Sequence, residues 1–291
     1  MSTGFSTVNL RQAINALDTL PSMPVITQKI LSLDLNDDAG ELAMLKLIEQ
    51  DPQISAKVIG MANSPLFGSS KPVSSVADAA MVLGITRVKS ITIGIAVMSS
   101  LNKDATGKLD IQKLWLQSIS IALALKAISR LMPLKKRPLE DEIFLAGLLH
   151  DIGYLVLNHL DRGLSDELHS RFEAEQDRPG VEIEAELLGI THGELGAELA
   201  RHWSLPESLV AVLRYHHEPE NELASIGQPL VRMIALAEKI LPSFGMNEQT
   251  CGEISPAEMQ ALGIDPEKTT DLIDTLKSLA EEAKSAAAVF A

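Results

Sequence analysis

The sequence predicts an all-α fold from its aliphatic composition, its helical periodicity and its helix-start signals. Hydrophobic residues make up 46% of the 291 residues but aromatic residues only 3%, a balance that favours packing of helices over sheets. Apolar residues recur at the helical period, as in Ile54, Val58 and Met61. Asp51-Pro52 reads as an N-cap with proline at the first helical position, and Thr191-His192-Gly193-Glu194 has the spacing of a capping box. We therefore expect a multi-helix bundle.

The N-terminal part, residues 10–101, is predicted to be a subdomain of short helices. Two prolines in Leu20-Pro21-Ser22-Met23-Pro24 interrupt the helical pattern, because proline can start a helix but cannot continue one. Gly84 is a plausible C-terminal cap. The predicted helices are Leu10–Leu20, Val25–Leu33, Glu41–Gln50, one from Pro52 to about Ala62, one that Ser74 or Ser75 starts and Gly84 ends, and one beginning at Thr86.

Residues 109–241 are predicted to be a helical core, joined to the first part by the polar connector Asn102–Lys108. The loop 133–138 is the most basic spot in the chain, and it is interpreted as a solvated loop beside a helix C-terminus. Residues 242–291 form a C-terminal tail, whose end from Thr275 is a weakly amphipathic helix. The predicted core helices are Ile111–Leu131, Glu140–Leu160, Leu164–Glu175, Thr191–Trp203, Pro206–His217 and Pro229–Leu241.

Composition and charge also exclude several classes of function. The 25 basic and 39 acidic residues give a net charge of -14, which repels a phosphate backbone and argues against nucleic-acid binding. Cys251 is the single cysteine, so an internal disulfide cannot form, as is typical of a reducing cytoplasm. The N-terminus lacks the pattern of a secretory signal, and the most apolar stretch, Ile91–Met98, is too short to span a bilayer. We expect a cytoplasmic protein without membrane contact.

Five histidine or aspartate positions lie on the apolar stripes of predicted helices: His150, Asp151, His192, His216 and His217. Burying such groups costs free energy unless they are paired or bind a metal. Neutral imidazoles and a carboxylate from several rigid helices are a set that a divalent metal favours. Two interpretations stay open, a metal site and a network of hydrogen-bonded core histidines. The neighbouring Gly147 and Gly153 would let adjacent helices approach closely.

The His-Asp pair lies in a segment that resembles a known signature. Residues 146–153, Ala-Gly-Leu-Leu-His-Asp-Ile-Gly, resemble the signature of the HD superfamily of metal-dependent phosphohydrolases. Residues 192–196, 203–206 and the pair His216-His217 are similar to the branch that contains the HD-GYP phosphodiesterases. In the N-terminal half, residues 20–24, 48–52, 62–65 and 79–84 resemble the HDOD domain. The resemblance covers roughly residues 13–240.

The resemblance implies a metal site in which two positions depart from the catalytic pattern. Gln117 stands where catalytic branches carry a first histidine, and Glu238 stands where they carry the closing aspartate. An amide carbonyl is a weak ligand, and loss of a first ligand loosens the geometry of a metal site. The implied ligands are His150, Asp151, His192, His216 and His217, with Glu238 and Gln117 as candidates and Asp151 as the catalytic residue of an active enzyme. The metal would be divalent (Fe, Mn, Ni, Zn or Mg) and weakly held or absent.

The resemblance therefore implies a signal-transduction or regulatory module without catalysis, in which the metal site is degenerate. Its partners would be signalling proteins in trans, with a small phosphorylated ligand as a further candidate. The alternative is a metal-dependent phosphohydrolase that acts on a phosphoester or nucleotide. Trp115 and Trp203 are interpreted as core anchors, and His159, His169 and His202 as surface or boundary residues without a function.

Overall fold

The computed structural model describes residues 20–35, 37–67, 71–101, 107–244 and 252–290. These residues form α-helices and short 3-10 turns, with no strand among them, which confirms the all-α prediction. The predicted helix Leu10–Leu20 lies outside the described residues, apart from Leu20 itself.

The helices of the described residues follow the predicted order, with ends that shift by a few residues. In the N-terminal part they are α1 (Val25–Leu31), α2 (Asp38–Glu49), α3 (Pro52–Ala62), α4 (Val76–Leu83) and α5 (Ile85–Leu101). In the core they are α6 (Ile111–Leu131), α7 (Glu140–Leu149), α8 (Ile152–Leu160), α9 (Arg162–Ala174), α10 (Gly180–Leu188), α11 (His192–His202), α12 (Glu207–Tyr215) and α13 (Leu230–Ile240). The C-terminal helices are α14 (Pro256–Ala261) and α15 (Thr269–Ala287).

Local hydrogen bonds explain why several helices begin where the sequence places them. The Asp51 side chain accepts hydrogen bonds from the first free amides of α3, and Ser75 does the same for α4. Thr191 and Glu194 form the expected reciprocal capping box at α11. Gly84 ends α4 with a positive φ of 84°, a backbone conformation that favours glycine.

The predicted helix Glu140–Leu160 is wrong as one element, because α7 and α8 meet at an angle of 41°. His150 and Asp151 occupy the break, and Asp151 leaves helical geometry with a ψ of 14°. After the break, Gly153 approaches α11 so closely that an added Cβ would lie 1.8 Å from the carbonyl oxygen of His192. Before it, Gly147 lies in similarly close contact with Ala122 of α6. The bend therefore brings the His-Asp pair against two neighbouring helices, as the two glycines predicted.

Helix α10 is absent from the sequence analysis, which assigns no element to residues 180–188. Pro179 precedes it, and Gly189 ends it in the left-handed conformation with a φ of 68°. Ile183, Glu184 and Leu188 are buried, so the helix belongs to the core. Its buried Glu184 contacts His192 at the start of α11.

The C-terminal helix packs against the core. Helix α15 begins at Thr269, ahead of the weakly amphipathic stretch predicted from Thr275, and packs along α6, with Leu272 and Leu276 buried. Its buried alanines allow close contact between the two helices. The tail from residue 269 is therefore part of the helical core.

Helix α6 is long and apolar enough to cross a membrane by length and composition alone, and 72% of its most apolar window is buried inside the protein. Two bent helix pairs, α4 with α5 and α7 with α8, pass the same test only when each is taken as one span.

The two tryptophans are buried as predicted, and the Trp203 indole donates a hydrogen bond of 2.8 Å to the Pro21 carbonyl. This bond joins the core to the N-terminal part.

Candidate metal centre

The structure brings the five predicted histidine and aspartate residues into one buried cluster. His150 and Asp151 lie between α7 and α8, His192 starts α11, and His216 and His217 directly follow α12. The Nε2 atom of His192 lies 3.0 Å from that of His216 and 3.2 Å from that of His217. Asp151 Oδ1 lies 3.4 Å from His192 Nε2 and 3.7 Å from His216 Nε2. Its Oδ2 lies 3.0 Å from His150 Nε2.

The outer nitrogen of each imidazole faces an oxygen acceptor. His150 Nδ1 lies 2.8 Å from the Gly147 carbonyl, and His216 Nδ1 lies 2.8 Å from the Leu213 carbonyl. His192 Nδ1 lies 2.8 Å from a carboxylate oxygen of Glu184. A proton on each Nδ1 satisfies these contacts, and a neutral ring then presents its Nε2 lone pair to the centre of the cluster. Lone pairs that converge in this way need a cation or a proton between them.

Glu238, which the sequence analysis placed as a possible ligand, lies at the edge of the same cluster. Its Oε2 is 3.3 Å from His217 Nδ1, and its Oε1 is 3.8 Å from His150 Nε2. The Glu238 side chain is buried. It is positioned to orient the His217 ring, and its part as a metal ligand stays a prediction. Gln117 is also buried, in the middle of α6, and its part in metal binding stays a prediction.

The structure adds a third carboxylate, which the sequence analysis missed. Glu184 of α10 is fully buried, and it accepts hydrogen bonds from the Nδ1 and backbone amide of His192 and from the Tyr154 hydroxyl. The Tyr154 ring also stacks on the His192 ring, with centroids 4.3 Å apart. Carboxylates that hold the outer nitrogen of a metal-binding histidine fix its orientation and raise its basicity. The apolar spacing that ends at Gly189 could have revealed α10, but nothing local indicates which helix Glu184 faces.

His169 is buried, so its predicted position at the surface or a boundary is wrong. Its Nδ1 lies 2.7 Å from the Ser165 carbonyl, and its ring packs edge-on against Tyr154 and Phe172. The face of α9 that carries it is covered by α8. His169 therefore supports the Tyr154 ring and does not belong to the cluster of convergent Nε2 atoms.

Buried charge sets the protonation of the rings. Burial alone would lower the pKa of His192, but Glu184 and Asp151 outweigh it and raise this pKa to about 10. The pKa of His216 is well below its ordinary value, because the ring is buried and lies beside the ionisable rings of His217 and His192. A protonated His192 can then donate its Nε2 hydrogen to the neutral His216. In the absence of a metal, this proton supplies the positive charge that the cluster needs.

We expect metal binding to release this proton. Because the pKa of His192 is about 10, its ring is protonated at neutral pH. A metal cation must therefore displace the proton from Nε2. The affinity for metal should therefore rise with pH, by roughly tenfold per pH unit for each proton released, until the ring is neutral. Titration calorimetry of the EDTA-treated protein with Zn²⁺, in buffers of different ionisation enthalpy, measures the release. A binding heat that is independent of the buffer would contradict it.

The donor set fits a divalent transition metal. The ligand atoms of His192, His216 and His217 lie within 4.8 Å of one another. Nitrogen ligands bind such metals at about 2.0–2.1 Å, so the ligand atoms around one ion lie about 3 Å apart, close to the observed Nε2 separations. Imidazole nitrogens suit Zn, Fe, Ni or Cu, and the carboxylate of Asp151 adds a ligand that Mn also accepts. His150 and Asp151 lie beside these three rings, and their part in metal binding stays a prediction.

Comparison with known proteins shows similarity over most of the chain. A solved structure of a candidate signal transduction protein from Marinobacter aquaeolei VT8 is 26% identical, with a TM-score of 0.80, over 97% of this chain and 64% of that one. A candidate phosphohydrolase from Shewanella amazonensis SB2B is 22% identical, with a TM-score of 0.68, over 96% of this chain and 98% of that one, and shares the fold. An uncharacterized protein of Treponema pallidum (strain Nichols) is 22% identical over 234 residues, which are 79% of this chain and 44% of that relative. The chain thus spans less than two thirds of two of these proteins.

The match to a protein family is more specific than these individual similarities. The sequence profile of the HDOD domain matches residues 20–219, which span α1 to the pair His216-His217. This range includes every motif by which the sequence resembles that domain, and it includes the His-Asp pair. The chain therefore belongs to the HDOD domain family.

Proposed function

We propose that this protein is a non-catalytic signalling module whose buried histidine cluster binds a divalent metal as a structural or regulatory ion. The observation that carries the proposal is the burial of the cluster. His150, Asp151 and His216 have no exposed surface, and His192 is 2% exposed. Metal-catalysed hydrolysis requires that a water and a phosphoester both reach the ion. A sealed cluster supports metal retention and does not favour turnover.

The role of the metal follows from where its ligands lie. They come from the α7–α8 break, the start of α11 and the end of α12, so one ion would tie three separate parts of the core together. Binding of the ion to the folded protein alone stabilises that arrangement. The bound ion can thereby order a surface that signalling proteins recognise in trans. A cytoplasmic location is also part of the proposal.

The alternative function is a metal-dependent phosphohydrolase acting on a phosphoester. The cluster combines imidazoles with the carboxylate of Asp151, which is the donor set that such chemistry uses. The name of the Shewanella protein points in the same direction for that protein. Among the clustered histidines, His217 is the least buried, with an 18% exposed side chain, and it marks the side from which a substrate would have to enter.

Metal content and turnover together test the proposal. We expect the purified protein to bind a stoichiometric divalent ion, measured by elemental analysis, and His216→Ala to lower metal affinity at least tenfold because a first ligand is lost. His202→Ala, on the same α11 as His192 but outside the cluster, is the matched control and should bind metal normally. Neither protein should hydrolyse phosphomonoesters, phosphodiesters or nucleotides with Mn²⁺, Fe²⁺ or Ni²⁺. Turnover that Asp151→Ala abolishes would establish the hydrolase instead.

A further inference from the structure

A cavity lies at the start of α7, at the opposite end of this helix from His150. It has a volume of about 260 Å³, and its lining comes from the turn before α5, the side of α6 and the start of α7. The lining residues are Leu83, Gly84, Ile85, Thr86, Arg87, Lys126, Glu140, Ile143 and Phe144. The cavity therefore lies where the N-terminal helices meet the core, away from the histidine cluster.

The cavity carries an excess of positive charge. Arg87 and Lys126 line it, and Arg130 lies one turn beyond Lys126, near enough for its charge to act on both. Glu140 forms an ion pair with Lys126, and its side chain is two-thirds exposed. Burial lowers the pKa of Arg87, and the charge of Arg130 lowers it further. Burial also lowers the pKa of Lys126, together with the charges of Arg87 and Arg130. Three cations therefore lie together at a cavity whose lining includes one carboxylate, although the chain as a whole has a net charge of -14.

Arg87 differs from most arginines in the described part of the chain. Six others pair with a carboxylate: Arg162, Arg171, Arg178, Arg201, Arg214 and Arg232. Among the residues that the structure describes, no carboxylate lies within ion-pair distance of Arg87. Its guanidinium is instead held between two aromatic rings, 5.3 Å from the centroid of Phe67 and 5.6 Å from that of Phe144. The rings fix the position of the group without neutralising its charge.

The position of Arg87 in its helix is also unfavourable for a cation. It lies in the first turn of the 17-residue helix α5, where the helix dipole is positive. Residues 84–87, which include the start of this first turn, line the same cavity. A helix N-terminus and a fixed guanidinium both favour an anion, and an anion between them would relieve their repulsion.

We propose that this cavity binds a small phosphorylated anion between Arg87, Lys126 and the first turn of α5. A planar guanidinium binds phosphate oxygens through two parallel hydrogen bonds, and an ammonium adds a point charge. The volume is below the roughly 300–1,000 Å³ of sites that enclose drug-sized ligands, so the ligand is a phosphoryl group with little attached to it. Such a ligand joins the N-terminal helices to the core at a site that is independent of the metal centre.

Titration of the full chain with inorganic phosphate and with glycerol 2-phosphate tests this site. Because phosphate can also bind a metal ion, the titrations are made on the protein both as purified and after EDTA treatment, and binding should persist in both. Arg87→Gln should lower phosphate affinity by about tenfold or more, since it removes a charge-assisted pair of hydrogen bonds. Tighter binding of the ester indicates an organic phosphate as the natural ligand, and equal binding indicates free phosphate.

Lys113→Gln is the matched control, because Lys113 lies on α6 like Lys126 but pairs with Asp110 at the other end of the helix. It should bind phosphate as the wild type does. Lys126→Gln is the second variant if Arg87→Gln does not fold, and it should also weaken binding severalfold. Phosphate binding that both cavity variants retain, or no phosphate binding by the folded wild type, would overturn the proposal.

Discussion

Gly153→Ala is expected to destabilise the protein by about 3 kcal/mol and to weaken metal binding at the same time. A Cβ at this position lies 1.8 Å from the carbonyl oxygen of His192 and 2.6 Å from its carbonyl carbon. Both atoms belong to the backbone, so a side-chain rotation cannot relieve the clash and α11 must move away from α8. That movement carries His192 away from Asp151, which lies in the α7–α8 break. Denaturant unfolding of the metal-free protein measures the stability, and a Zn²⁺ titration measures the affinity.

Gly163→Ala is the matched control for this variant. It is also a glycine in the first turn of a core helix, but its added Cβ would meet only the flexible Asp161 side chain, at 3.2 Å. Alanine is the better helix former, so we expect a change within about 1 kcal/mol in either direction and no effect on metal. If both variants unfold at the same denaturant concentration, the close contact between α8 and α11 does not exist in solution.

Glu184→Gln is expected to lower the affinity for a divalent metal by roughly 10–100-fold while leaving the fold intact. The substitution keeps the volume of the side chain but removes the charge that fixes the Nδ1 proton of His192. The amide also presents a donor to Tyr154 or His192 in place of an acceptor. The pKa of the metal-free His192 ring, which is raised to about 10 by Glu184 and Asp151 against the effect of burial, should fall. NMR titration of the imidazole resonances measures this second effect.

Glu182→Gln provides the control, since this exposed glutamate lies on the same helix two residues earlier. It should change neither the metal affinity nor the pKa of His192. Tyr154→Phe removes one hydrogen bond to Glu184 and keeps the ring stacked on His192, so its effect on metal affinity should be smaller. An equal loss in Tyr154→Phe and Glu184→Gln would mean that packing, rather than the carboxylate charge, orients the histidine.

Much of the fold could be predicted because its determinants are local. The N-caps Asp51, Ser75 and Thr191 bond to amides two or three residues away, and Gly84 adopts a conformation that few other residues tolerate. The break at His150-Asp151 was missed for the opposite reason. The residues on both sides are good helix formers, and the bend is set by the contact of Gly153 with α11, about 40 residues further along the chain.

The histidine cluster could be predicted in part, because rings on apolar stripes must turn inward wherever the helices pack. The side-chain contacts within the cluster are decided only by the tertiary packing of the helices. Glu184 and Tyr154 reach His192 from separate helices, and Arg87 meets Lys126 across the junction between the N-terminal helices and the core. Periodicity states which face of a helix is buried, but the partner of that face depends on how all the helices pack together. The sequence therefore predicts the residue types of the histidine cluster. The contact of Glu184 with His192 and the cavity beside Arg87 arise from contacts between distant segments, which only the tertiary structure decides.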